Sequence, residues 1–230
     1  MEPTGERLLA NLGEVRERIA AAAARSGRSA EAIRLVAVTK SAPEDLVRLL
    51  VEAGQKDIGE NRPQQLRRRA AAMEGLGIAW HMIGQIQRNK VKYVVPAAAM
   101  IHSVDSLALA EEISRRALAA RCRATCLLEI NSGEEQKGGV PPDEAPALAS
   151  AAAAFAAIDL VGLMTMAPLT ENPETVRPAL ARLRDLRDRL NREAGLPHPL
   201  TELSMGMSQD YEVAIEEGAT IVRIGTALFR

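Results

Sequence analysis

Of the 29 basic residues in this 230-residue chain only five are lysines, at positions 40, 56, 90, 92 and 137. Lys40 closes the apolar run IRLVAVTK (33–40), which has the composition of a buried strand. A strand-end lysine ordinarily reaches solvent or pairs with a carboxylate. Lost hydration instead lowers a lysine's pKa and frees the amine as a nucleophile toward carbonyl carbon. Two stretches near the end of the chain, LSMGMS (203–208) and RIGTALF (223–229), have the makings of an anion site. Gly206 and Gly225 let backbone approach an anion closely, and the hydroxyls of Ser204 and Thr226 can donate to phosphate oxygens. The same glycines also serve tight turns with no ligand at all.

An aldehyde carrying a phosphate would engage both ends, and pyridoxal 5′-phosphate (PLP) is such a molecule. Its ring nitrogen takes an Asp or Arg partner. Arg223 lies two residues before Gly225, so strand alternation puts the two on one face. A guanidinium only donates hydrogen bonds. It therefore favours an unprotonated ring nitrogen and weakens the ring as an electron sink. A Schiff-base aldolase without PLP uses the same lysine chemistry and stays open on these residues.

The elements that must position these groups alternate regularly. Leu8, Leu12, Val15, Ile19 and Ala22 make one stripe of a first helix that stops near Gly27. Apolar runs follow near 33–40, 56–61, 78–84, 100–105, 125–131, 159–166, 202–207 and 220–226. Between them lie helical patterns. Pro43 opens one; Asn61 caps the next with Pro63 just inside; a third runs from Gln85 to Val95. Asp105 caps a helix with Leu107, Ala110, Ile113 and Ala117 on one face. Others cover about 141–157, start at Asn172 and stop at Gly195, or start at Ser208 and stop at Gly218.

Eight near-continuously apolar strands alternating with helices predict an α/β fold with a parallel sheet. The count of eight, with no G-x-G-x-x-G turn after the first strand, favours a closed (β/α)8 barrel over an open sheet, in one domain spanning residues 1–230. Chemistry then belongs at the C-terminal strand ends, where Lys40, Asn61, His81, Ile83, His102, Glu129, Ser204, Arg223, Gly225 and Thr226 converge.

The net charge of −1 gives no global footprint for nucleic acid, and the run Arg67, Arg68, Arg69 reads as a solvated helix face. Two cysteines and three scattered histidines give neither a disulfide framework nor metal-ligand spacing. With no leader and no membrane span in the pattern, the expected location is the cytoplasm.

The stretches LVAVTK, IGENRPQQ, WHMIGQIQRNK, HSVDS, GLMTMAP, LSMGMSQDYEVAI and VRIGTALF, spread over residues 35–229, resemble the YggS/PROSC family of PLP homeostasis proteins. The resemblance implies a single TIM barrel like the N-terminal domain of alanine racemase, with an extra N-terminal helix. It implies PLP held as a Schiff base on Lys40, the ring nitrogen met by Arg223, and the phosphate met by Ser204, Gly225, Thr226 and the backbone of Met205 and Gly206. Asn61 is implied to line the cofactor, with His81 and Ile83 as weaker contacts. The implied role is cofactor buffering and delivery, with influence on amino-acid and keto-acid balance and no robust catalysis. Apo PLP-dependent enzymes are the candidate recipients, and a monomer or weak homodimer is expected. Arg62 and Pro63 stand where the family more often carries an aromatic or apolar pair.

The competing reading is an amino-acid racemase, which needs an acid or base on each face of its substrate. Lys40 supplies one. The second base in alanine racemases is a tyrosine from another domain, and only Tyr93 and Tyr211 exist here. The Gly-rich, charged loop at 131–144 is either an ordinary connection or a flap, with Lys137 as a second acceptor for PLP.

Overall fold

The computed structural model describes residues 4–133 and 138–230. Strands β1 (Arg34–Val38), β2 (Asp57–Glu60), β3 (Ala79–Met82), β4 (Met100–Val104), β5 (Ala124–Glu129), β6 (Ile158–Met164), β7 (Glu202–Ser204) and β8 (Ile221–Ile224) are parallel and close into a barrel in sequence order. Closure is made by β1 on β8, with Val36 opposite Arg223 and Ala37 opposite Ile224.

Helices α1 (Gly5–Arg25), α2 (Glu44–Glu52), α3 (Pro63–Ala72), α4 (Val91–Val94), α5 (Leu107–Ala119), α6 (Ala145–Ala153), α7 (Arg177–Glu193), α8 (Tyr211–Glu216) and α9 (Thr226–Phe229) complete the chain. The main apolar core lies between the sheet and the helices. A second, smaller cluster of Val36, Met100, Leu127, Met164 and Ile221 fills the barrel interior. Strands with apolar neighbours on both faces explain the unbroken apolar runs of the sequence.

Several expected boundaries move. The helix expected over 85–95 is a short turn at Arg88–Lys90 followed by the one-turn α4. Ser106 rather than Asp105 precedes α5, and Leu107 is 48% exposed, so the buried face starts at Leu109. Arg62, not Asn61, is the residue before α3. Asp210, not Ser208, precedes α8. Ser208 Oγ instead accepts the N–H of Ala227 at 3.1 Å, tying the loop after β7 to α9.

Helix α1 spans the junction between the two ends of the sheet. Its Asn11 amide donates to the carbonyls of Leu228 and Arg230, at 3.0 and 2.8 Å. Its Arg18 and Arg25 pair with Glu212 and Glu216 of α8. The first and last elements thus fasten each other.

Candidate functional site

Lys40 lies at the C-terminal end of β1, as expected, but not inside a strand. β1 ends at Val38, Thr39 is buried, and Lys40 is exposed on a turn closed by Ala42 N–H to Thr39 O (2.9 Å). The expectation of a desolvated amine is therefore corrected, because Pro43 and α2 turn the chain outward two residues early. What marks Lys40 is how its backbone is held. Gln65 of α3 donates to the Lys40 carbonyl at 3.0 Å. One turn later Arg69 donates to the Thr39 carbonyl at 2.7 Å and also to the Ala42 carbonyl. Arg69 is buried and forms an ion pair with the buried Glu60, which also accepts the Thr39 hydroxyl at 2.6 Å. A lone buried guanidinium is costly; pairing and carbonyl acceptors are what make it tenable. Arg69 is thus not part of a solvated face. Of that run, Arg67 lies over the Tyr93 ring at 4.7 Å and Arg68 pairs with Glu44 at 3.1 Å.

On the neighbouring strand β8, Arg223 is buried, and burial pushes its pKa down to about 10, so it stays charged at neutral pH. Its Nη1 donates to Ser204 Oγ (2.6 Å) and its Nη2 to the Thr165 carbonyl (2.9 Å). The backbone N–H of Arg223 donates to Gly206 O at 2.9 Å, which sets the loop after β7 against β8. Gly225 faces the interior as alternation required: a Cβ there would meet Val38 Cβ and O at 3.2 Å. Gly206 has φ +93°, and a Cβ would sit 2.6 Å from Ala214 Cβ, so packing on α8 demands glycine there. The Met205 side chain joins the outer core, leaving only its backbone to the mouth. Thr226 is exposed at the start of α9.

Asn61 follows β2 at the mouth, half-buried, and its Oδ1 is buried with no partner among the described residues. Ile83 reaches over Gly59, where a Cβ would meet Ile83 Cδ1 at 3.3 Å. His81 lies deeper, bonded to His102 and Asp57 rather than at the rim. Tyr211 is buried and packs toward α1, with Arg18 5.5 Å from its ring centroid. Lys137 lies outside the described residues. Cys126 is buried and Cys122 exposed, both free. Among the described residues no group of three or more metal-ligating side chains occurs, and no helix is long and apolar enough to cross a membrane.

Glu129 is the mouth residue to which sequence gave no role. It ends β5, is 2% exposed, and its Oε2 has no partner among the described residues. Burial first, then the nearby Asp105, push its pKa up to about 7, against the pull of Arg223. The mouth therefore combines a lysine on a fixed turn, a buried fixed guanidinium and two orphaned polar atoms, those of Asn61 and Glu129. An orphaned buried polar atom costs about 1–3 kcal/mol, a cost a polar ligand removes. The donor set and the glycine at 225 fit a phosphorylated pyridine aldehyde.

The family "Alanine racemase, N-terminal domain" matches residues 10–230. The pyridoxal phosphate homeostasis protein of Aquifex aeolicus is 46% identical over 221 residues, 95% of each chain. The chain belongs to the pyridoxal phosphate homeostasis protein family. A second member, from Pseudomonas aeruginosa, is 40% identical, with 95% of this chain and 93% of that one covered. The structure of PipY from Synechococcus elongatus with PLP bound superposes with a TM-score of 0.85 at 32% identity, covering 97% of this chain and 100% of that one. Family membership agrees with the sequence resemblance and with the barrel.

Proposed function

We propose that this chain binds PLP at the barrel mouth and holds it for intracellular PLP homeostasis, as a single cytoplasmic barrel domain. When bound there, PLP would supply an aldehyde, and Lys40 would offer the amine that holds it. The loops after β7 and β8 hold the phosphate, through Gly225, Thr226 and the backbone of Met205 and Gly206. Asn61 and Ile83 border the same opening.

The observation that carries this reading is the fixed, buried Arg223. A guanidinium held by an oxygen on each of two nitrogens can only donate, and it stays protonated at neutral pH. Facing a pyridine nitrogen, it keeps that nitrogen unprotonated. Such a site holds the ring well and drives carbanion chemistry poorly. Delivery to apo-enzymes, by a monomer or weak homodimer, is part of the same proposal.

The test is the absorption spectrum of the purified protein with added PLP, then borohydride reduction and peptide mapping. A visible band lost in Lys40→Ala, with the reduced adduct on Lys40, supports the reading; label on another lysine, or a band that survives Lys40→Ala, refutes it. The racemase reading retains one observation, the mouth carboxyl Glu129 with a pKa of about 7. Tyr211 does not help it, because that ring packs on α1.

A further inference from the structure

Five side chains form one line through the barrel interior. Arg223 Nη1 lies 2.6 Å from Ser204 Oγ, and Ser204 Oγ lies 2.9 Å from His102 Nδ1. His102 Nε2 lies 2.9 Å from His81 Nδ1, and His81 Nε2 lies 2.9 Å from Asp57 Oδ1. Four of the five are buried; Asp57, the first residue of β2, is partly exposed at the opposite end of the barrel beside Arg34. The line runs from the mouth to the base.

With both imidazoles neutral, its two ends fix its direction. A carboxylate only accepts, so His81 must present Nε2–H to Asp57. A neutral His81 then has Nδ1 as acceptor, so His102 must present Nε2–H to it. His102 Nδ1 is then an acceptor, and the Ser204 hydroxyl donates to it. That leaves the Ser204 oxygen lone pairs for Arg223, which can only donate. One proton arrangement with two neutral imidazoles satisfies all four contacts. Burial, the leading cause, holds His102 well below the ordinary imidazole range, which agrees with a neutral His102 ring. The other charged group near Arg223 at the mouth is Glu129, with Asp210 acting from the loop after β7.

We propose that Ser204, His102 and His81 are positioning residues that orient Arg223, and that the Ser204 hydroxyl is committed to His102 rather than to phosphate. This rests on the PLP reading above and replaces the sequence expectation that Ser204 contacts the phosphate. Ser204 contributes to cofactor binding only through the guanidinium. Its loss is felt by the ring, not by the phosphate.

The experiment compares PLP, pyridoxal without phosphate, and inorganic phosphate on the parent, Ser204→Ala and His102→Gln. Both variants are expected to weaken PLP and pyridoxal by the same factor, about tenfold for one charge-assisted hydrogen bond, to shift the visible band, and to leave phosphate affinity unchanged. Weakened PLP with unchanged pyridoxal in Ser204→Ala overturns the proposal, since Ser204 then grips phosphate. So does a His102→Gln variant with parental affinity and spectrum.

Should the parent show no band and no adduct at Lys40, the PLP reading itself fails, while the line is still tested by 15N NMR of histidine-labelled unliganded parent. That spectrum is expected to show His81 and His102 both neutral with the proton on Nε2 at pH 7–8. An Nδ1–H tautomer at either ring overturns the proposed line, whether or not the variants fold.

Discussion

Replacing Arg69 by Met tests how the turn that carries Lys40 is held. The substitution preserves length and apolar bulk but removes the guanidinium from a site that is 3% exposed, opposite a Glu60 that is 0% exposed. Among the described residues Glu60 is left with the Thr39 hydroxyl as its one hydrogen bond, and the Thr39 and Ala42 carbonyls lose a donor. Removing one partner of a buried pair costs about 3–5 kcal/mol. At about 2–4 °C per kcal/mol for a domain of this size, the thermal midpoint should fall by roughly 6–20 °C.

The double variant Arg69→Met with Glu60→Gln removes the stranded charge while keeping an acceptor for Thr39, and should recover at least half of the loss. Thermal and urea unfolding of parent, both single variants and the double variant close the cycle. Borohydride trapping with PLP then reports whether Lys40 is still presented. An Arg69→Met variant within about 1 kcal/mol of the parent, well under the range for a broken buried pair, would refute the reasoning. A double variant no more stable than the single would refute it equally.

Other outcomes follow from the same structure. The Glu129 carboxyl has a folded pKa of about 7, above its unfolded value, so its contribution is full below about pH 4 and is lost as pH rises through about 7. Glu129→Gln should remove that slope and raise stability at pH 8 by up to about 3 kcal/mol, read by urea unfolding at pH 5 and 8. Gly84→Ala places a Cβ 2.2 Å from the Asn61 carbonyl oxygen, and should destabilise by about 1–3 kcal/mol while weakening cofactor binding at Asn61. Tyr211→Phe removes a buried hydroxyl that has no partner among the described residues. It should raise the unfolding free energy by about 1–3 kcal/mol and leave PLP titration unchanged, and an activity assay should reveal no racemisation lost.

The barrel was legible because strands covered on both faces carry unbroken apolar runs, and eight of them alternate with helices. The mouth followed from strand ends, which is why Asn61, Arg223 and Gly225 fall where expected. Lys40 was placed at the right end but in the wrong environment, since no pattern in LVAVTK shows that the chain leaves the sheet at Val38.

Arg69 was hidden in a run of three arginines. Its spacing from Pro63 and Leu66, buried on one face of α3, and from the buried Met73 just after it, is the signal that could have found it. His81 and His102 were visible as strand histidines, but their contact depends on the stagger of β3 and β4, which a single sequence does not encode. Asp57 gave no sign at all, because its role comes only from lying below His81.

The clasp of α1 on α8 and α9 couples segments far apart in the chain. Asn11 reaches carbonyls 217 and 219 residues away, those of Leu228 and Arg230. Contacts of such long sequence separation carry a loop-closure cost and slow folding. The end of the barrel that bears the loops after β7 and β8 is therefore braced by a helix whose docking is entropically expensive.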